Sequence, residues 1–99
     1  NSLERLNLSR NHIKNIDPLA SLTNLEWLNL ISNSITDISA LAKTTELRWL
    51  GLNYNNVTDL TPLRELKKLK VLMVKGNPHL SDSEVEELEE ELPNCTIEY

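Results

Sequence analysis

The sequence holds a single cysteine, Cys95, so no disulfide can form within the chain, and one thiol says nothing of the redox compartment. No apolar run approaches the roughly twenty residues of a membrane span, which excludes insertion as a helix. A signal-peptide pattern and an initiator Met are also missing. The chain opens on Asn1 inside a repeat, as a mature piece or a cut fragment of a longer protein would, so the missing leader carries no weight. A basic stripe is lacking as well: the net charge is −5, and the Lys and Arg do not form the footprint of a nucleic-acid binder. His12 and His79 stand at unrelated repeat positions and make no metal site.

The net charge hides an asymmetry. Residues 1–80 carry ten Lys/Arg against seven Asp/Glu, or +3, whereas residues 81–99 carry eight acids and no Lys or Arg, or −8. The acids belong to the C-terminal segment.

What the chain has in plenty is leucine at a fixed spacing. Leu47-Arg48-Trp49-Leu50-Gly51-Leu52-Asn53-Tyr54-Asn55 reads L-x-x-L-x-L-x-x-N, and copies begin at Leu3, Leu25, Leu47 and Leu69, 22 residues apart. Three columns hold the register: Leu6/Leu28/Leu50/Leu72, Leu8/Leu30/Leu52/Val74 and Asn11/Asn33/Asn55/Asn77. Self-similarity at such a period predicts a solenoid in which each repeat stacks on the next. L-x-x-L-x-L fits a short strand with its leucines inward and its x positions outward. The Asn that follows both donates and accepts, so it can satisfy backbone groups where the chain leaves the strand.

The return half is equally regular. Asp17-Pro18-Leu19, Ser39-Ala40-Leu41 and Thr61-Pro62-Leu63 place a capping side chain ahead of Pro or Ala and an inward Leu. So few residues remain before the next strand that one 3₁₀-like turn is expected. Ile13/Ile35/Val57 and Ile16/Ile38/Leu60 fill the space between strand and turn, Leu22 and Leu66 close it, and Thr44 is a lone polar residue in that last column. After Asn77-Pro78-His79-Leu80 the period becomes helical. Ser81-Asp82-Ser83-Glu84 offers a capping box, with Ser83 and Glu86 as a second candidate. Val85, Leu88 and Leu92 share one face and Pro93-Asn94 stops the helix. Cys95-Thr96-Ile97-Glu98-Tyr99 alternates like a last strand. The chain therefore divides into repeats over 1–80 and a C-terminal cap over 81–99. No equivalent covers the first repeat, so either the chain is truncated or two copies associate through their N-terminal ends.

Outward strand positions define the candidate binding surface. Arg5, Trp27, Trp49 and Val71 form one column, and Asn7, Asn29, Gly51 and Met73 its neighbour. Ile31, Asn53 and Lys75 lie just beyond the strands, followed by Tyr54. Trp27 and Trp49 fall side by side, because parallel strands lie about 4.8 Å apart. Trp, Tyr and Arg are enriched at binding hot spots. The candidate partner-binding residues are thus Arg5, Trp27, Asn29, Ile31, Trp49, Asn53, Tyr54, Val71, Met73 and Lys75, with a dip at Gly51 beside Trp49. Two other uses stand beside this one: the tryptophans stack only to shield the sheet, or they form a platform for a carbohydrate. Cys95 and His79 lie in the cap with no orienting group, and the thiol is expected to be buried there. Asn15, Asp37 and Asp59 form a column read as turn caps or as plainly solvated groups, in preference to a calcium site. The acidic helix is read as a solvated outer face. No catalytic residue, metal or cofactor is expected.

These repeats resemble the leucine-rich repeat family over essentially the whole chain. Ile35-Thr36-Asp37-Ile38-Ser39-Ala40-Leu41 and Val57-Thr58-Asp59-Leu60-Thr61-Pro62-Leu63 are similar to the internalin-type repeats of bacterial surface proteins. The short repeats of eukaryotic phosphatase regulators are similar too, but usually with longer helices. The ending Leu92-Pro93-Asn94-Cys95-Thr96-Ile97 resembles the cap of such repeats in extracytoplasmic proteins of Gram-positive bacteria. The resemblance implies an α/β leucine-rich-repeat solenoid with parallel strands on the concave face, short 3₁₀ turns on the convex face and a C-terminal capping helix. It further implies a secreted or cell-surface bacterial module that binds another protein through the concave face. The alternative is a cytoplasmic scaffold that regulates an enzyme such as a protein phosphatase.

Overall fold

Each L-x-x-L-x-L segment folds as a strand of three residues whose central leucine points into the core. Residues 2–99 are described by the structure, a computed structural model. Strands β1 (Arg5–Asn7), β2 (Trp27–Asn29), β3 (Trp49–Gly51), β4 (Val71–Met73) and β5 (Thr96–Glu98) form one parallel sheet in chain order. Pairing places Leu6 beside Leu28, Leu28 beside Leu50 and Leu50 beside Leu72, so the 22-residue period is the sheet register. The chain returns between strands through 3₁₀ turns at Asp17–Ser21, Ser39–Lys43 and Thr61–Leu63, which form the convex side. In the last repeat helix α1 (Asp82–Glu91) takes the place of that turn, and the step from Val71 to its partner Thr96 grows to 25 residues.

Between sheet and turns lies a continuous core of the inward columns. Leu28, Leu50 and Leu72, then Leu30, Leu52, Ile35, Val57, Leu41 and Leu63, are fully buried. Burial of each side chain contributes about 1.5–3 kcal/mol. Thr44 is buried among them and its hydroxyl donates to the Leu41 carbonyl at 2.7 Å, which satisfies the one polar atom in its column. Leu6, Leu8, Ile13 and Leu22 of the first repeat are only half-buried. Beside them, Leu8, Ile13, Asn15, Ile16, Pro18 and Leu19 line a shallow apolar groove of about 200 Å³.

The asparagine column ties repeat to repeat. Asn55 Nδ2 donates to the carbonyls of Leu30 (2.9 Å), Leu52 (3.1 Å) and Asn53 (3.3 Å), while its Oδ1 accepts the Ile35 N–H at 3.0 Å. Asn33 and Asn77 repeat this arrangement, with Oδ1 accepting from Ile13 and Val57. Asn11 is exposed and donates only to Leu8 and Ser9 of its own loop. Among the described residues no buried side-chain nitrogen or oxygen lacks a partner.

Of the two columns that the sequence offered as turn caps, the structure uses the second. Asp17, Ser39 and Thr61 are the first residues of the turns, and the preceding Ile16, Ile38 and Leu60 cap nothing through their side chains. The caps sit two residues upstream of the turns: the Oδ1 atoms of Asn15, Asp37 and Asp59 accept the N–H groups of Asp17, Ser39 and Thr61, each at 2.9 Å. A short Asx side chain reaches the N–H two residues on without any helix being present. The capping box of α1 is likewise half formed. Ser81 Oγ accepts the Glu84 N–H at 3.2 Å, but the Glu84 carboxylate turns to the preceding repeat and accepts the Leu60 N–H at 2.8 Å.

Candidate functional site

The concave face is built from the outward residues of β1 to β4, and its centre is a stack. Because Arg5, Trp27 and Trp49 share one register, their side chains lie one strand spacing apart. The Trp27 and Trp49 ring centroids are 4.8 Å apart with planes 13° from parallel, and the Arg5 guanidinium carbon lies 4.6 Å from the Trp27 ring centroid. The ring pair contributes about 0.5–1.5 kcal/mol beyond its buried area. The exposed cation adds about 0.5–1 kcal/mol. Trp27 therefore has both faces covered and presents an edge, with its neighbour Trp49 equally half-buried.

Gly51 is where the face departs from the sequence reading. A Cβ there would lie 2.8 Å from Trp49 Cη2 and 3.0 Å from Ile31 Cδ1 and Cγ1. The dip beside Trp49 is thus filled by the Trp49 ring and by Ile31, and Gly51 is buried under them. Its role is to let Trp49 lie down across the strand. The only sequence signal for this was a residue without a side chain in the middle of an outward column.

Past the strands the chain turns through a left-handed residue in every repeat: Arg10 (φ 59°), Ser32 (62°), Tyr54 (59°) and Gly76 (72°). This conformation costs a residue with a side chain about 1–2 kcal/mol, and residue type gave no sign of it at the first three positions. Tyr54 is 60% exposed. Its ring lies directly over Gly76, since a Cβ on that residue would clash with Tyr54 Cδ1 and Cε1. Asn29 Oδ1 accepts the Ile31 N–H at 3.0 Å and so holds Ile31 in place. Asn53 leaves the binding set: it is 7% exposed, and its Oδ1 accepts the Lys75 N–H at 2.8 Å, which spends the side chain on the framework. Val71 and Met73 are half-buried beside the stack and Lys75 is exposed.

Family comparison bears on the same residues. A leucine-rich-repeat model matches residues 1–57, and a model of two leucine-rich-repeat copies matches residues 45–94. The chain belongs to the leucine-rich repeat family.

No curated protein matches this leucine-rich-repeat chain, but solved structures do. Internalin C2 of Listeria monocytogenes is 39% identical, with 97% of this chain and 41% of that one covered and a TM-score of 0.84. A leucine-rich-repeat protein of Leptospira interrogans is 31% identical, with 98% and 25% covered and a TM-score of 0.88. The functional domain of InlJ from Listeria monocytogenes, which includes a cysteine ladder, shares the fold at 20% identity, with 98% and 29% covered and a TM-score of 0.72. The chain thus spans less than half the length of these proteins.

Two carboxylates of the leucine-rich-repeat chain are engaged in its turns. Hydrogen bonds from the Ser39 backbone and hydroxyl hold the Asp37 carboxyl below its ordinary range, and those from the Thr61 hydroxyl and backbone do the same for Asp59. Among the described residues no three His, Cys, Asp or Glu side chains gather as a metal site would require. Cys95 packs against the core but is only half-buried, where the sequence reading expected a buried thiol. Desolvation pushes its thiol up to about 11, which leaves it protonated and a poor nucleophile at neutral pH. Among the described residues no helix is long and apolar enough to cross a membrane.

Proposed function

We propose that this chain is a non-catalytic recognition module that binds a partner protein through its concave face, as part of a secreted or surface-exposed bacterial protein of internalin type. The observation that carries the reading is the Arg5–Trp27–Trp49 stack, held half-exposed at the centre of the sheet. The core is already filled by the leucine columns, so the rings are not needed to close it. Their packing fixes rotamers in advance, and a docking partner then immobilises few side chains. Ile31, Tyr54, Val71 and Met73 extend the apolar surface, and Arg5 and Lys75 bound it. The bacterial surface setting is supported by the likeness to internalin C2 and to the leptospiral protein. A carbohydrate platform is disfavoured, because a sugar stacks on an open ring face and Trp27 has none.

Immobilised wild-type chain and a Trp27→Ala/Trp49→Ala variant, incubated with host surface proteins, test the reading. A protein retained by the wild type is expected to be lost at least about tenfold by the variant, the scale of truncating a hot spot, with the thermal melt still cooperative. Equal retention by both would remove the concave face as the binding surface.

A further inference from the structure

The charge of the concave face runs against the charge of the molecule. The chain carries −5, to which residues 81–99 contribute −8. Helix α1 carries seven of those acids, and three of them meet the return side of the third repeat: Glu84 meets the Leu60 N–H, Glu87 meets Arg64 at 3.2 Å and Glu91 meets Lys67 at 3.9 Å. Those three are kept off the sheet, whereas Asp82, Glu86 and Glu89 lie near Tyr99, just past the outermost strand β5. Cations border the strands. Arg48 and Lys70 directly precede β3 and β4, and Arg10 and Lys75 follow β1 and β4. Arg48 is paired with Glu26 at 3.6 Å, whereas Arg10, Lys70 and Lys75 have no ion pair among the described residues. The acids near the strands are that Glu26 and, on the two outermost segments, Glu4 and Glu98.

The centre of the sheet is thus aromatic and aliphatic, and its borders carry five cations, Arg5, Arg10, Arg48, Lys70 and Lys75, against the three acids Glu4, Glu26 and Glu98. We propose that the protein bound here presents an apolar cluster bordered by carboxylates. This rests on the reading of the concave face as a protein-binding surface and names the chemistry of what it binds. The acidic helix repels the same partner, so electrostatics selects the side of the solenoid on which docking occurs. Exposed charges are screened over about 8 Å at physiological ionic strength, so the preference weakens with salt. A protein fits better than a nucleic acid, because the few cations bordering the face, on a chain of net negative charge, do not form the stripe that follows a phosphate backbone.

The test uses two synthetic peptides with the same Leu-Phe-Leu centre, one flanked by Glu and one by Lys. They are titrated while the two indole N–H resonances of the chain are followed by NMR. The Glu-flanked peptide is expected to shift both indoles at about tenfold lower concentration, an advantage that shrinks in high salt. In a Lys70→Glu/Lys75→Glu variant, whose replaced side chains are exposed, the Lys-flanked peptide should become the stronger. Shifts at equal concentration by both peptides would overturn the charge proposal and leave the face reading intact. Shifts by neither would overturn both. A thymidine oligonucleotide that moves the indoles more strongly than the Glu-flanked peptide would overturn the choice of a protein.

Discussion

The Glu84 carboxylate accepts the Leu60 backbone N–H at 2.8 Å, across 24 residues of sequence, so the first turn of the capping helix finishes the last 3₁₀ turn of the repeats. Glu84 stands where the earlier repeats have no counterpart. The cap is joined to the solenoid by this bond as well as by the burial of Val85, Leu88 and Leu92. Glu84→Ala should cost about 1–3 kcal/mol by orphaning the Leu60 N–H, whereas Glu84→Gln, which keeps an acceptor, should cost less. Urea denaturation of both variants checks the order, and an equal loss would assign the effect to the charge of the carboxylate near the helix N-terminus.

Substitution along the asparagine column should not be uniform. Asn55→Ala removes bonds to three carbonyls and one N–H, most of them buried, so a loss of about 3 kcal/mol or more is expected. Asn11→Ala removes two exposed bonds within one loop and should cost under about 1 kcal/mol. Chemical denaturation of the pair measures the difference.

The aromatic stack depends on a residue with no side chain. Gly51→Ala places a methyl 2.8 Å from Trp49 Cη2 and must displace the ring or Ile31. Reduced exciton coupling between the two indoles in circular dichroism, with the melt little changed, is the expected outcome. In Gly76→Ala, backbone strain at φ 72° adds to a clash with Tyr54, and a loss of about 1–3 kcal/mol should follow. Tyr54→Ala in that background should recover only the part due to the clash.

Acid sensitivity should trace to the turn caps. Asp37 and Asp59 have carboxyl pKa values lowered from 3.8 by hydrogen bonds made only in the folded chain. Their contribution to stability is therefore fully present above pH 3.8 and is lost as pH falls below it through the lowered values. An Asp37→Asn/Asp59→Asn variant keeps the acceptor, as Asn15 does in the first repeat, and removes the titration. Its stability should fall less between pH 4 and pH 2 than that of the wild type. Parallel curves would mean that other carboxylates govern acid unfolding.

Much of the fold was legible because a period of 22 residues fixes strand register and core columns together. Leu50 is inward because Leu28 and Leu72 are, and Asn55 is buried because its neighbours in the column face the same turn. The cap helix and β5 were readable from the change of period after Leu80. The turn caps were legible only as two competing columns, because Asp17, Ser39 and Thr61 look like helix caps until the shape of the turn shows that its N–H groups are met from Asn15, Asp37 and Asp59. Within the candidate site, the pairing of Trp27 with Trp49 followed from register alone. The burial of Asn53, the filling of the space above Gly51 and the seat of Tyr54 on Gly76 did not. Each depends on how side chains from different repeats compete for one volume, and column membership carries no such information.

The asparagine column also sets how the molecule carries load. The bonds it makes between repeats, like those of the strands, join each repeat only to its neighbours, so they act in series between the two ends of the stack. A pull on the termini loads every junction equally, and each that yields frees about 22 residues, or roughly 75 Å of extended chain. Stretched between two anchored proteins, the module lengthens in discrete steps and keeps its remaining repeats folded.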